Sequence, residues 1–153
     1  MLLFTLLDMA GKSYKVAKFQ MSFKTRYKIK SPEDAYKLFK DLCELNTIDA
    51  LEEFIIILTS KKDRLLGLYN ISFLRNKESV FISKAILSTA LTIDANKVIL
   101  AHNKSGGQIE TSELDISIST RLKVCATVLG TDIIDYMLIN EAGYYSFKDN
   151  GLL

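Results

Sequence analysis

The run from Leu51 to Thr59 contains Phe54-Ile55-Ile56-Ile57-Leu58, five consecutive apolar and mostly β-branched residues with no polar residue between them. A strand with one face in water shows polar residues at every second position, whereas an uninterrupted run suits a sheet covered on both faces. Such a strand needs neighbours above and below, and the rest of the chain supplies helices to provide them. Ser31-Pro32-Glu33-Asp34 offers an N-cap, a proline at the first helical position and acids in the first turn. Ala35, Leu38, Phe39, Leu42 and Cys43 then follow at helical spacing, so the sequence predicts a helix to about Leu45.

The same reading continues along the chain. Ser60-Lys61-Lys62-Asp63 is a polar turn that joins the apolar run to Leu65–Phe73 as a hairpin. Ser79 to Leu91 reads as a helix, with Val80, Ala85 and Leu91 among its apolar positions, and Val98-Ile99-Leu100-Ala101-His102 as a short buried strand. Ser112 caps an apolar-periodic segment through Leu114, Ile118, Leu122, Cys125 and Leu129, with Gly130 placed to stop it. Ile133 to Ile139 is a further strand, and Asn140-Glu141-Ala142-Gly143 turns into Tyr144-Tyr145-Ser146-Phe147. Strands mixed with long helices predict an α/β domain, a sheet layered by helices.

From Ala17 to Lys30 the residues alternate with period two, which predicts a half-buried strand or extended arm. One side carries Lys18, Lys24, Arg26, Lys28 and Lys30. These five could neutralise phosphates along a nucleic acid, with Tyr27 available to stack. They could equally guard an exposed edge strand against aggregation, as edge lysines do. The chain's net charge is only +2, yet residues 1–40 hold nine Lys or Arg against three acids. We divide the chain into an extension with the basic strand, 1–30, and one domain, 31–153.

Length and composition agree with one domain: 153 residues, 48% hydrophobic and 25% charged, enough to bury a core and outside the range of disordered chains. Cys43 and Cys125 fall inside helix-like patterns without disulfide or metal-ligand spacing, and read as buried thiols of a reducing compartment. The opening apolar run is short, lacks a preceding basic stretch and is broken by Asp8, and no other segment approaches a membrane helix. The expected location is cytoplasmic, with no membrane partner.

The segment Ile99-Leu100-Ala101-His102-Asn103-Lys104-Ser105-Gly106-Gly107, followed by Thr111-Ser112-Glu113-Leu114-Asp115, resembles the signature of the RadC family, in which a strand ends in Ala-His-Asn-His-Pro-Ser-Gly and Ser-x-x-Asp follows. The spacing from His102 to Asp115 matches that signature without an insertion. The likeness extends from about Ser31 to Leu153, including Glu53-Phe54 at the first long strand and the closing stretch from Tyr144 to Gly151. It implies a three-layer JAB/MPN domain with a mixed sheet between helices, similar to cytidine deaminase.

In the JAMM metallopeptidases that share this motif, two His and one Asp hold zinc, a water completes the coordination, and an upstream Glu shuttles its proton, as a catalytic zinc site requires. The resemblance thus implies His102 and Asp115 as metal ligands, Glu53 as general base with Glu52 as its alternative, and Ser112 as a stabiliser of the oxyanion. The second His position is Lys104, and a protonated amine has three donors and no lone pair. His102 is the only histidine, and where the family has Leu-Asp-His this chain has Ile134-Asp135-Tyr136. Ser112 and Asp115 also have a purely structural use as an S-x-x-D helix cap.

Three functions follow as expectations. The first is a noncatalytic binding module, a pseudoenzyme with a degenerate site that holds no zinc and engages a protein or nucleic-acid partner. The second is a zinc-dependent peptidase or isopeptidase with an atypical ligand set. The third is a nucleic-acid-binding accessory factor of DNA repair, drawn from the basic strand and the family's historical label.

Overall fold

The computed structural model describes residues 14–19, 27–42, 53–73, 78–104 and 108–153. Its strands are β1 (Tyr14–Phe19), β2 (Phe54–Thr59), β3 (Leu65–Phe73), β4 (Lys97–Asn103), β5 (Asp132–Ile139) and β6 (Tyr144–Ser146). Its helices are α1 (Pro32–Leu42), α2 (Ser79–Thr92) and α3 (Glu113–Val128). The strands form one mixed sheet in the order β1-β3-β2-β4-β5-β6, antiparallel except for the parallel pair β4 and β5. The chain crosses between those two through α3, a βαβ unit in an otherwise antiparallel sheet.

Both faces of β2 are buried, as its unbroken apolar run requires. Phe54, Ile56 and Leu58 face a core shared with Ile82, Ile86 and Ala90 of α2 and Ile118, Leu122 and Ala126 of α3. Ile55 and Ile57 face the opposite core, where Ala35, Leu38 and Phe39 of α1 pack with Ile99, Met137 and Ile139. The layers are therefore α1, sheet, and the α2–α3 pair. Alternation along β4 and β5 sends Val98, Leu100, Tyr136 and Leu138 to the α2–α3 side, and Ile99, Ala101, Met137 and Ile139 to the α1 side.

Local chemistry sets the element ends. The Ser31 hydroxyl accepts a hydrogen bond from the Asp34 amide at 3.1 Å, which caps α1. Ser112 and Asp115 form a reciprocal capping box at the start of α3. At its other end Gly130 adopts φ +72°, the left-handed conformation that ends a helix at little cost to glycine.

Several expectations are corrected. The strand or extended arm expected for 17–30 is described only in part: 17–19 belong to β1, which begins earlier at Tyr14, residues 20–26 lie outside the described part, and 27–30 run beside the β2–β3 turn with a single bridge between Lys28 and Arg64. The reason for the latter is local: the Asp34 carboxylate draws the Lys30 amide into the start of α1, at 3.0 Å. The edge position of β1 in the described sheet fits the edge-strand reading of this segment. Leu91, assigned to the apolar face of α2, is exposed, because that face is built from Ile82, Ala85, Ile86 and Ala90. Cys125 is partly exposed rather than buried, since it lies at the margin of the face that carries Leu122 and Ala126. Cys43 lies outside the described residues, as do the last residues of the helix expected to reach Leu45.

Since Ile56 is wholly buried between β3, β4 and the α2–α3 layer, the variant Ile56→Ala is expected to lose about 3 kcal/mol of stability. Urea unfolding followed by circular dichroism measures this, and a loss below about 1 kcal/mol would mean that the core relaxes into the gap.

Candidate metal centre

The β2–β4 register sets His102 opposite Phe54, and both side chains point to the α2–α3 side. Their rings stack with centroids 4.2 Å apart and planes at 21°. β5 adds Tyr136 on the same face, opposite Leu100 and so diagonal to His102. The first turn of α3 brings Asp115 over these strand ends. His102 is 2% exposed, and Asp115 and Tyr136 are 0% exposed.

Every oxygen of Asp115 is taken. Oδ1 lies 2.6 Å from His102 Nδ1 and accepts from the Tyr136 hydroxyl at 2.8 Å. Oδ2 accepts from Lys104 Nζ at 2.7 Å, from the Ser112 hydroxyl at 2.6 Å and from the Ser112 amide at 2.9 Å. A carboxylate has roughly four lone-pair positions, so five donors saturate it. Burial pushes the Asp115 pKa up, but the hydrogen bonds from His102, Lys104 and Ser112 outweigh that and hold it well below the usual carboxylate range. Asp115 is thus ionised and acts only as an acceptor, which requires the proton of the His102 contact to sit on Nδ1. Burial and the neighbouring Asp115 charge push the Tyr136 phenol well above its ordinary value, so it too stays a donor.

His102 Nδ1 and Asp115 Oδ1 do not serve together as a zinc-ligand pair: two ligands of a tetrahedral zinc, each about 2.0–2.1 Å from it, stand about 3.3 Å apart, whereas these two atoms share a hydrogen bond at 2.6 Å, which leaves Nε2 as the ring nitrogen with a lone pair. The other carboxylate oxygen faces an ammonium group, which has no electron pair to give. Among the described residues, no group of three or more His, Cys, Asp or Glu side chains is placed to hold a metal ion.

The positions expected to carry chemistry divide into two groups. His102, Lys104, Ser112 and Asp115 come together. Glu53 meets them through its main chain, where its carbonyl accepts from the Asn103 amide at 3.0 Å; its carboxylate accepts a hydrogen bond from Asn70 Nδ2. Asn70 stands opposite Ile55, a residue of the α1-side core, so this bond turns Glu53 to the face opposite His102. Glu52, its alternative, lies outside the described residues, as do Gly106 and Gly107. Two members of the cluster were not assigned to it from sequence. Tyr136 stood out only as a departure from Leu-Asp-His, and Phe54 only as part of an apolar run; period-two alternation gives each a face, but not which strands lie side by side.

Of the basic set, Lys18 lies in β1 opposite Tyr69, and Lys28 and Lys30 are exposed beyond the opposite end of β2 from the cluster. Lys24 and Arg26 lie outside the described residues. No helix among the described residues is long and apolar enough to cross a membrane.

Comparison with known proteins bears on the ancestry of this arrangement. Residues 29–152 match the RadC-like JAB domain family. A UPF0758 protein of Aquifex aeolicus is 30% identical over 131 residues, covering 85% of this chain and 54% of that protein. One of Syntrophomonas wolfei is 32% identical over 127 residues, covering 82% of this chain and 54% of that protein. One of Porphyromonas gingivalis is 33% identical over 103 residues, covering 67% and 45% respectively. The chain thus spans about half the length of the curated relatives it matches.

Because the Asp115 pKa is lower folded than its ordinary 3.8, its contribution to stability is present above that value and is lost as the pH falls below it. Asp115→Asn is expected to destabilise the fold by about 3 kcal/mol at pH 7, since it strands buried donors. It should also flatten the acid limb of a stability-versus-pH curve between about pH 5 and pH 2. Urea midpoints measured across that range test both; an unchanged acid limb would show that Asp115 is not the titrating group.

Proposed function

The chain belongs to the RadC-like JAB domain family, and we propose that it serves as a noncatalytic binding module whose zinc position is filled by an internal ion pair. The observation that carries this reading is the five-donor shell on Asp115, with Lys104 in direct contact. A hydrolase of this kind needs a metal with an open coordination position and a water within reach. Here the carboxylate has no free lone pair, and the three central residues are closed to solvent.

In this reading each expected site residue has a structural role. Ser112 caps α3 and donates to Asp115, so its hydroxyl is not free to meet an oxyanion. His102 and Tyr136 tie the start of α3 to the ends of β4 and β5. Glu53 bonds across to Asn70. The same reading treats 31–153 as the family domain, with a cytidine-deaminase-like layering supported by the helix, sheet, helix order. The extension 1–30 supplies β1 as an added edge strand. A partner would then engage a surface other than the buried cluster.

Metal analysis of protein purified without chelator and equilibrated with zinc tests the proposal. Far less than one equivalent is expected for the native chain, together with no peptidase or isopeptidase activity. Lys104→His, which replaces the ammonium by an imidazole lone pair, is expected to raise zinc uptake towards one equivalent. A full equivalent on the native chain would establish the zinc-peptidase alternative instead. No gain in the variant would place the block in the His102–Asp115–Tyr136 contacts rather than in Lys104.

A further inference from the structure

The end of the sheet away from the buried cluster carries a different feature. Ser60 closes the β2–β3 hairpin: its amide donates to the Arg64 carbonyl at 2.9 Å, and its hydroxyl accepts from the Lys62 and Arg64 amides, each at 3.3 Å. The Lys61 amide donates to Asn96 Oδ1 at 2.9 Å. The segment 27–30 runs alongside this turn, held where Leu65 N donates to the Tyr27 carbonyl at 3.2 Å and Ile29 N to the Asp63 carbonyl at 3.1 Å. That contact pairs Lys28 with Arg64.

Two stretches far apart in sequence therefore place five exposed cations around one turn: Lys28, Lys30, Lys61, Lys62 and Arg64. None of them pairs with a described carboxylate. Asp63, the acid inside the turn, is already engaged by Lys97 at 2.6 Å. The acids that border the patch are Asp34, which takes the Lys30 amide, Asp132, whose amide bonds the Asn96 carbonyl, and Asp94.

We propose that this hairpin end binds the phosphate backbone of duplex nucleic acid, without reading its bases. This rests on the binding-module reading and names the class of partner. The backbone of the turn is pinned by side-chain and main-chain hydrogen bonds, so the cations are presented without first having to order the loop. No residue of the patch is a large exposed hydrophobe, which a membrane-inserting surface would need. The nearby aromatic, Tyr27, is partly buried against the α1-side core, which turns part of its ring away from any base that could stack on it. What remains is charge, which suits a sequence-independent phosphate contact.

Fluorescence anisotropy of the full chain with a dye-labelled duplex of mixed sequence tests this. If about four phosphates are neutralised, the logarithm of the binding constant should fall against that of salt with a slope of about −3 to −4. K61E/K62E is expected to weaken binding at least about tenfold, and R64Q, a milder change, to weaken it less. A control of equal charge change, K84E/K123E on the exposed surfaces of α2 and α3, should weaken it far less. Circular dichroism confirms that each variant is folded, and R64Q decides the matter where the double variant is not. The proposal is overturned by absence of binding at about 20 mM salt, by equal effects of patch and control variants, or by binding to phosphatidylserine vesicles and not to duplex. None of these variants touches Asp115 or Lys104, so this outcome is separate from that of the zinc measurement.

Discussion

The structure depends on a buried negative charge. Taking a carboxylate out of water costs several kcal/mol unless opposite charge and hydrogen bonds replace the lost hydration, and Asp115 is fully buried. In a zinc site the dication would supply that charge and the carboxylate would return an electron pair. Here an ammonium supplies the charge and takes hydrogen-bonded acceptance in return, which needs no lone pair on its own nitrogen. The phenol of Tyr136 and the imidazole of His102 complete the shell from below. A site that loses its metal would otherwise leave an uncompensated anion in the core, and the ion pair prevents that at the position where the metal's ligand would stand.

The topology explains why the cluster and the basic turn are separate. His102 and Lys104 lie at the carboxyl end of β4, beside the parallel pair and under the start of α3, which is where α/β units gather their functional groups. The β2–β3 hairpin lies beyond the opposite end of β2, roughly 17 Å away along six strand residues. One end is closed and nearly neutral inside; the other is open and positively charged. A surface at the second end can act without any change at the first.

Much of this was legible in the sequence where local chemistry decides the outcome. Ser31-Pro32, Ser112 and Gly130 mark helix ends through caps that act within a few residues, and all three hold. The run Phe54–Leu58 correctly announced a strand covered on both sides. The likeness around His102 and Asp115 gave the family, and the mixed sheet between helices is as it implied. What failed depends on distant partners. Period-two alternation from Ala17 to Lys30 left a strand and an extended arm open, and it could not show that Tyr27–Lys30 would lie against the β2–β3 turn with a single bridge. Leu91 is apolar in pattern but lies off the packed face of its helix, and Cys125 only reaches the margin of its own. The bond of Tyr136 to Asp115 follows only once β5 is known to lie parallel to β4.

The retained spacing from His102 to Asp115 does not by itself require retained chemistry. Ser-x-x-Asp satisfies the start of α3 through reciprocal hydrogen bonds whatever else it does, and a ring that stacks on Phe54 and bonds Asp115 fills the end of β4. Ser112, Asp115 and His102 are therefore accounted for by the hold of the helix on the sheet alone. Residue 104 must still satisfy the charge: an alanine at position 104 would leave the carboxylate short of a cation, whereas lysine reaches it at 2.7 Å. The identity of residue 104 is thus matched to the anion it faces, and a lysine there satisfies the charge that a smaller neutral side chain would leave uncompensated.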